Sequence, residues 1–139
     1  MADPIRVLCV DDNEHVADAM RVKLNRTTGF EWIGHLTDAS NLLTEASRLC
    51  PDVVLLDLDM PGPPPLTVVD ALRSKCPDVK VVILSGYLSR DLVEQAIEAG
   101  AWGYVHKGED VSEVLKAVRS VANGAVGLSP DAEAALVRR

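Results

Sequence analysis

Cysteine is scarce and scattered in this 139-residue chain: Cys9, Cys50 and Cys76 lie far apart, with no C-x-x-C spacing. An odd count without paired spacing excludes a disulfide scaffold and reads as reduced thiols in a cytosolic protein. Long apolar runs are missing too. The purely aliphatic stretches Val53–Leu56 and Val81–Leu84 are four residues each, too short to span a membrane. The start, Met-Ala-Asp-Pro-Ile-Arg, lacks the basic-then-apolar pattern of a signal peptide, so a soluble, cytoplasmic protein is expected. Positive charge is in deficit, with 14 Lys and Arg against 21 Asp and Glu and a net charge of −7. Such a chain repels nucleic-acid phosphates and anionic membranes. Its one basic cluster is Arg138-Arg139, so no nucleic acid or membrane partner is expected for the chain itself. Aromatics make up 4%, against 47% hydrophobic and 25% charged residues. That is the composition of one globular domain, neither disordered nor collagen-like.

What is present is an alternation of short apolar runs with amphipathic stretches. Strands are predicted at Ile5–Val10, Phe30–Leu36, Asp52–Asp57, Lys80–Leu84 and Trp102–Val105. Helices are predicted at Asn13–Thr27, Ala39–Leu49, Leu66–Lys75, Ser89–Ala99 and Val111–Asn123. The last carries Val111, Val114, Leu115, Val118, Val121 and Ala122 at 3.6-residue spacing. Cys-Pro at 50–51 and 76–77 closes two helices, because proline disfavours helix in the residue before it. Gly29, Gly100 and Gly124 stand where a helix end takes a left-handed residue, and Ser89 with Asp91 marks a helix start. Ser129-Pro130-Asp131 begins a further short helix. Trp32 and Trp102 read as half-buried, and His15, His35 and His106 show no metal-ligand spacing and read as structural.

Strands apolar throughout, such as Val-Val-Leu-Leu and Val-Val-Ile-Leu, suit a parallel sheet covered on both faces. The (βα)5 order then gives a doubly wound three-layer α/β domain, whose binding crevice lies outside the carboxyl ends of the strands. Those ends carry Asp11-Asp12, Asp57, Ser85 and His106-Lys107. Each has an ordinary reading alone: a solvated turn, a helix cap, a surface lysine. Together they place carboxylates, a hydroxyl and an ammonium in one crevice. Crowded carboxylates ask for a hard divalent cation, and Mg²⁺ binds through one or two of them while leaving room for a phosphate. Lys107 adds the remaining positive charge for phosphoryl transfer. Asp57, ending the central apolar strand, is the expected nucleophile, and a carboxylate can form an acyl phosphate.

The set Asp11-Asp12, Asp57, Ser85, Tyr104 and Lys107 closely resembles the receiver domain of bacterial two-component response regulators, over about residues 5–124. The stretches Gly100-Ala-Trp-Gly-Tyr104 before Lys107, and Val118–Gly124 followed by Leu128-Ser-Pro130, resemble the NarL/FixJ-like subfamily. The resemblance implies a flavodoxin-like, CheY-like sheet of five parallel strands in the order 2-1-3-4-5. It implies a receiver domain over residues 1–125 and a linker-like helix over 126–139. Asp57 would take the phosphoryl group from a sensor histidine kinase. Asp12, Asp57 and the backbone carbonyl of Asp59 would ligate Mg²⁺, with Asp11 acting mainly through water. Lys107 would pair with phosphoryl oxygens and Ser85 would hydrogen-bond one of them. Drawing in Ser85 would let Tyr104 turn inward and reshape the surface of helix 4, strand 5 and helix 5. Asp59 and Tyr87 occupy positions that tune acyl-phosphate hydrolysis. The resemblance makes the chain a signalling phosphoacceptor rather than an enzyme acting on a separate substrate, and it makes a phosphorylation-dependent homodimer plausible.

The chain departs from that pattern in places. Pro63-Pro64-Pro65 replaces a more flexible loop, and Pro65 suits the first position of a helix. Gly108 stands where many receivers have a cis proline, so a trans bond is expected after Lys107. Asp57-Leu-Asp59 has the shape used by haloacid-dehalogenase-type phosphatases. That motif, however, needs Thr or Val where Pro61 stands and follows a first strand. Asp-Asp-Asn-Glu in the first loop would repel the phosphate of a flavin mononucleotide, and no G-x-G-x-x-G follows any strand. Two outputs stay open: the regulatory part of a transcription factor, or a stand-alone receiver signalling by protein contacts.

Overall fold

A computed structural model describes residues 3–137; the Arg138-Arg139 pair lies outside them. The strands are β1 (Ile5–Val10), β2 (Phe30–Leu36), β3 (Val53–Asp57), β4 (Lys80–Ser85), β5 (Gly103–His106) and β6 (Gly127–Leu128). The helices are α1 (Glu14–Arg26), α2 (Leu42–Leu49), α3 (Pro65–Lys75), α4 (Arg90–Ala99), α5 (Val111–Ala122) and α6 (Pro130–Val137). All strand pairs are parallel, in the order β2-β1-β3-β4-β5-β6. The expected 2-1-3-4-5 order is therefore present, but the sheet has six strands instead of five. The sixth is two residues long, too short to show any alternation, and it pairs Gly103 with Gly127 and Tyr104 with Leu128.

Side chains alternate across the sheet. Val7, Cys9, Val53, Leu55, Val82, Leu84 and Val105 pack with Met20 and Leu24 of α1 and with Val114, Val118 and Val121 of α5. Leu8, Val10, Val54, Leu56, Val81, Ile83 and Tyr104 face the other way. They pack with Leu42 and Ala46 of α2, Val69 and Leu72 of α3, Val93 and Ala96 of α4, and Ala132 and Ala135 of α6. Two buried faces explain why the central strands have no polar alternation.

Local signals set the ends of the helices. Asn13 caps α1 by accepting from the amides of His15 and Val16, and Ser89 caps α4 by accepting from Leu92. Pro65 is the first residue of α3. α4 closes on Gly100 at φ 115°, a conformation glycine takes without a Cβ clash. α2 begins at Leu42, later than its periodicity predicts. Asp38 Oδ1 accepts from the Ser40 amide at 2.7 Å, and this side-chain turn takes the place of helix over residues 38–41. α2 ends on Cys50, which leaves the helix through the left-handed region at φ 49°. β5 begins at Gly103, one residue later than expected, and runs on to His106. Trp102 is 37% exposed, with the Lys80 ammonium 5.3 Å from its ring centre, in keeping with the half-buried position expected for it. Among the described residues no peptide bond is cis, the cysteines are free thiols, and no helix is long and apolar enough to cross a membrane.

β6 sits where only glycine fits. A Cβ on Gly127 would lie 2.5 Å from the Ala117 carbonyl oxygen and 3.0 Å from its Cα, and backbone cannot step aside as a side chain can. Gly127→Ala is expected to lower stability by about 1–3 kcal/mol through overpacking, read as a lower urea midpoint. A midpoint equal to the parent's would show that β6 does not lie against α5.

Candidate functional site

The sheet brings its strand ends level. Val10 lies beside Leu56, Asp57 beside Leu84 and Ser85 beside His106. The strand ends therefore arrive at one crevice, where Asp11, Asp57 and Ser85, each next after its apolar run, meet Lys107, two residues beyond Val105. Asp11 and Asp57 are 0% and 1% exposed. Lys107 Nζ stands 3.0 Å from Asp57 Oδ1, 3.6 Å from Asp11 Oδ2 and 4.0 Å from Asp59 Oδ2. The Lys107 amide donates to the Ser85 carbonyl at 2.8 Å, which ties the lysine's turn to β4.

Asp57 Oδ1 also accepts from the Asp59 amide at 2.8 Å, so both contacts fall on Oδ1 and Oδ2 takes neither. Burial pushes the Asp57 carboxyl up to about 6. The Asp59 amide and the Lys107 ammonium pull against this, and the charge of Asp11 adds to it. For Lys107 burial acts downward, but the hydrogen bond to Asp57 and the charges of Asp57, Asp11 and Asp59 outweigh it and raise its pKa. Cys9, beneath the crevice, is held as a thiol. Burial, then Asp11 and Asp57, push it up to about 12.

Asp11, Asp12 and Asp57 each present a carboxylate oxygen within 4.8 Å of the others. Asp11 Oδ1 accepts from the Asn13 amide at 2.8 Å, while its buried Oδ2 has no hydrogen-bond partner. A buried acceptor without a donor costs about 1–3 kcal/mol. One ammonium also leaves the carboxylates of Asp11, Asp12, Asp57 and Asp59 largely uncompensated. The donor set is all oxygen and anionic, and it can bind a metal ion of the hard divalent kind.

Ser85 and Asp59 are joined directly. The Ser85 hydroxyl donates to Asp59 Oδ1 at 3.0 Å, and the Gly86 amide donates to Asp59 Oδ2 at 2.7 Å. The Asp59 side chain is thus a working part of the crevice wall as well as a neighbour of the acceptor. The Tyr87 amide donates to Ser85 Oγ at 3.0 Å, and the Tyr104 hydroxyl donates to the Tyr87 carbonyl at 2.8 Å. Tyr104 is 0% exposed, so it already points inward while Ser85 is still bonded to Asp59. Tyr87 itself is 69% exposed. It overhangs an apolar groove of about 550 Å³ lined by Leu58, Met60, Pro64, Pro65 and Leu92.

The histidines do more than fill space. His35 Nε2 lies 2.7 Å from the Asp11 carbonyl and steadies the turn that carries Asp11. His106 Nδ1 lies 3.0 Å from Asp131 Oδ2, and its Nε2 lies 3.3 Å from the Gly86 carbonyl. These partners are 20 to 25 residues away in sequence, and no local spacing announces them.

Comparison with known proteins agrees with this geometry. Residues 7–119 match the response regulator receiver domain. The transcriptional regulatory protein LiaR of Bacillus subtilis is 33% identical over 120 residues, covering 86% of this chain and 57% of LiaR. The response regulator GacA of Pseudomonas viridiflava is 35% identical over 126 residues, covering 91% and 59%. The chain thus spans a little over half the length of these relatives. Among solved structures, a LuxR-family two-component response regulator from Aurantimonas superposes with a TM-score of 0.91 at 27% identity, over 96% of both chains. The signal receiver domain of NarL from Mycobacterium tuberculosis gives 0.83 at 29%, over 88% of this chain and 99% of that one. With its crevice residues on the expected strand ends and relatives of the NarL/FixJ-like kind, the chain belongs to the response regulator receiver domain family.

Proposed function

We propose that Asp57 accepts a phosphoryl group from the phosphohistidine of a sensor histidine kinase, and that the chain is the regulatory part of a cytoplasmic transcription regulator. The observation that carries this reading is a buried Asp57 whose Oδ1 is held by Lys107 at 3.0 Å, beside an Asp11 oxygen that has no hydrogen-bond partner. Oδ2 forms the new bond to phosphorus as the bond from phosphorus to the histidine nitrogen breaks, its electron pair returning to the imidazole. Lys107 stays with the carboxylate and meets the incoming oxygens, which limits charge build-up. Asp12, Asp57 and the Asp59 carbonyl would hold Mg²⁺, with Asp11 reaching it mainly through water. When bound, the ion supplies charge neutralisation at the phosphoryl oxygens.

Ser85 must release Asp59 to donate to a phosphoryl oxygen. The Tyr87 amide and the Tyr104 hydroxyl follow it in sequence of contact, so the 85–87 loop moves while Tyr104 keeps its inward pose. That differs from a switch in which Tyr104 swings in, and it puts the change at the start of α4. The surface of α4, β5 and α5 then reports the phosphoryl state as a shift in population. Residues 1–125 would form the signalling unit and 126–139 the connection to whatever it controls. A stand-alone receiver acting by protein contacts, or a homodimer on phosphorylation, would use the same surface.

Intact mass after incubation with acetyl phosphate and Mg²⁺ tests the reading. One phosphoryl group should be gained, and it should be lost in Asp57→Asn and abolished by EDTA. A gain that survives Asp57→Asn overturns Asp57 as acceptor. A carbon-detected titration of the Asp57 carboxyl in metal-free protein should show a midpoint near 6, moving down when Mg²⁺ is added. Because the folded pKa lies above the unfolded one, this group's contribution to stability falls as pH rises from about 4 to about 6. A metal-free midpoint near 4 overturns the burial argument. Tyr87, over the rim of the site, should slow attack by water. Tyr87→Ala is expected to shed phosphate roughly fivefold faster, about 1 kcal/mol of barrier, and an unchanged lifetime would refute a shielding role.

A further inference from the structure

His106 is the last residue of β5, directly before Lys107, and its ring reaches two other segments. Nδ1 faces Asp131 Oδ2 at 3.0 Å, in the first turn of α6. Nε2 faces the Gly86 carbonyl at 3.3 Å, one residue beyond Ser85. Glu109 completes the arrangement: its Oε1 accepts from the His106 amide at 3.1 Å and its Oε2 from the Asp131 amide at 3.2 Å. One imidazole therefore joins the Ser85–Gly86 loop, the Lys107 turn and the C-terminal helix.

A carboxylate and a backbone carbonyl are both acceptors. The ring can satisfy them together only when both nitrogens carry protons, that is, as imidazolium. The surroundings favour that form, since the Asp131 hydrogen bond raises the His106 pKa against the effect of burial, with the Gly86 carbonyl and the charges of Asp131 and Glu109 adding to it. The carboxylates facing the ring are Asp131 from α6 and Glu109 from the β5–α5 turn, while the β4–α4 loop offers the Gly86 carbonyl. α6 also rests on the receiver through Ala132 and Ala135, which are 0% and 4% exposed, and the Ser129 amide donates to the Tyr104 carbonyl at 3.1 Å.

We propose that His106 is a positioning residue that latches α6 to the switch loop, and that phosphoryl binding at Asp57 opens the latch. This rests on the phosphoacceptor reading above. The Gly86 amide is bonded to Asp59, as is the Ser85 hydroxyl. When Ser85 leaves Asp59 for a phosphoryl oxygen, the Gly86 peptide turns with it. Its carbonyl then moves off Nε2, and the imidazolium loses one of its two anchors. α6, the last helix of the described residues, loosens as a result. By linkage the effect is reciprocal: breaking the latch from the α6 side favours the phosphoryl-bound state by the same factor.

The test uses the full chain with beryllofluoride and Mg²⁺ as a phosphoryl mimic, comparing the parent with Asp131→Asn and His106→Gln. Hydrogen exchange is followed over residues 130–137, and circular dichroism confirms that the variants fold. In the parent, beryllofluoride should speed exchange in α6. In both variants α6 should exchange fast from the start, show no further response, and bind beryllofluoride roughly fivefold more tightly, the lower range of measured couplings. Bound beryllofluoride that leaves α6 unmoved in the parent overturns the latch and leaves the phosphoacceptor reading standing. Variants that loosen α6 with unchanged beryllofluoride affinity also overturn it, since the contact is then only structural. Failure of the parent to bind beryllofluoride overturns both.

Discussion

Lys107 carries one ammonium into a crevice lined by Asp11, Asp12, Asp57 and Asp59, and most of the local arrangement follows from that imbalance. It stands nearest Asp57, at 3.0 Å, and its backbone is tied to β4 through the Ser85 carbonyl. A buried carboxylate is tolerable only when charge or hydrogen bonds meet it, and removing one partner of such a pair leaves an uncompensated charge. The lysine meets Asp57 and only partly meets Asp11. What remains is a negative crevice already shaped for more positive charge, with one Asp11 oxygen still lacking a donor. The site is thus poised by what it leaves unsatisfied.

The sheet makes this imbalance sustainable. Buried side chains on both faces lock the strands into register, so the acidic ends cannot drift apart to relieve their repulsion. The cost of crowding like charges is carried by apolar packing spread over both faces. Cys9 shows the reach of the field: its thiol lies on β1 beneath the aspartates and is held protonated by burial and by their charge.

Much of this was legible in the sequence because it is local. Strands without polar alternation announced a sheet covered on both sides, and the residues just past the apolar runs named the crevice: Asp11, Asp57 and Ser85 next after theirs, and Lys107 two beyond Val105. Ser89 and Pro65 marked their helix starts for reasons that act within one turn. The illegible parts depend on distant partners or on very short elements. β6 has two residues, so no period could reveal it, and Gly127 reads as a flexible position until Ala117 is seen against it. The 38–41 turn competes with helix through one aspartate side chain, which hydrophobic spacing ignores. Asp59 reads as a neighbour of Asp57 and proves to hold both Ser85 and Gly86. His106 looks like a filler residue because Gly86 and Asp131 lie 20 and 25 positions away.

β6 has a bearing on how the sheet ends. An exposed strand edge offers free amides and carbonyls to any other strand, and natural sheets blunt such edges with short or covered strands. β5 would be that edge if the chain stopped at residue 125, with Gly103 and Tyr104 open along it. The Gly127–Leu128 pairing occupies those groups with a strand too brief to recruit another copy. A boundary drawn at the end of α5, where the helical pattern stops, would thus leave the backbone groups of Gly103 and Tyr104 on that edge without their strand partners.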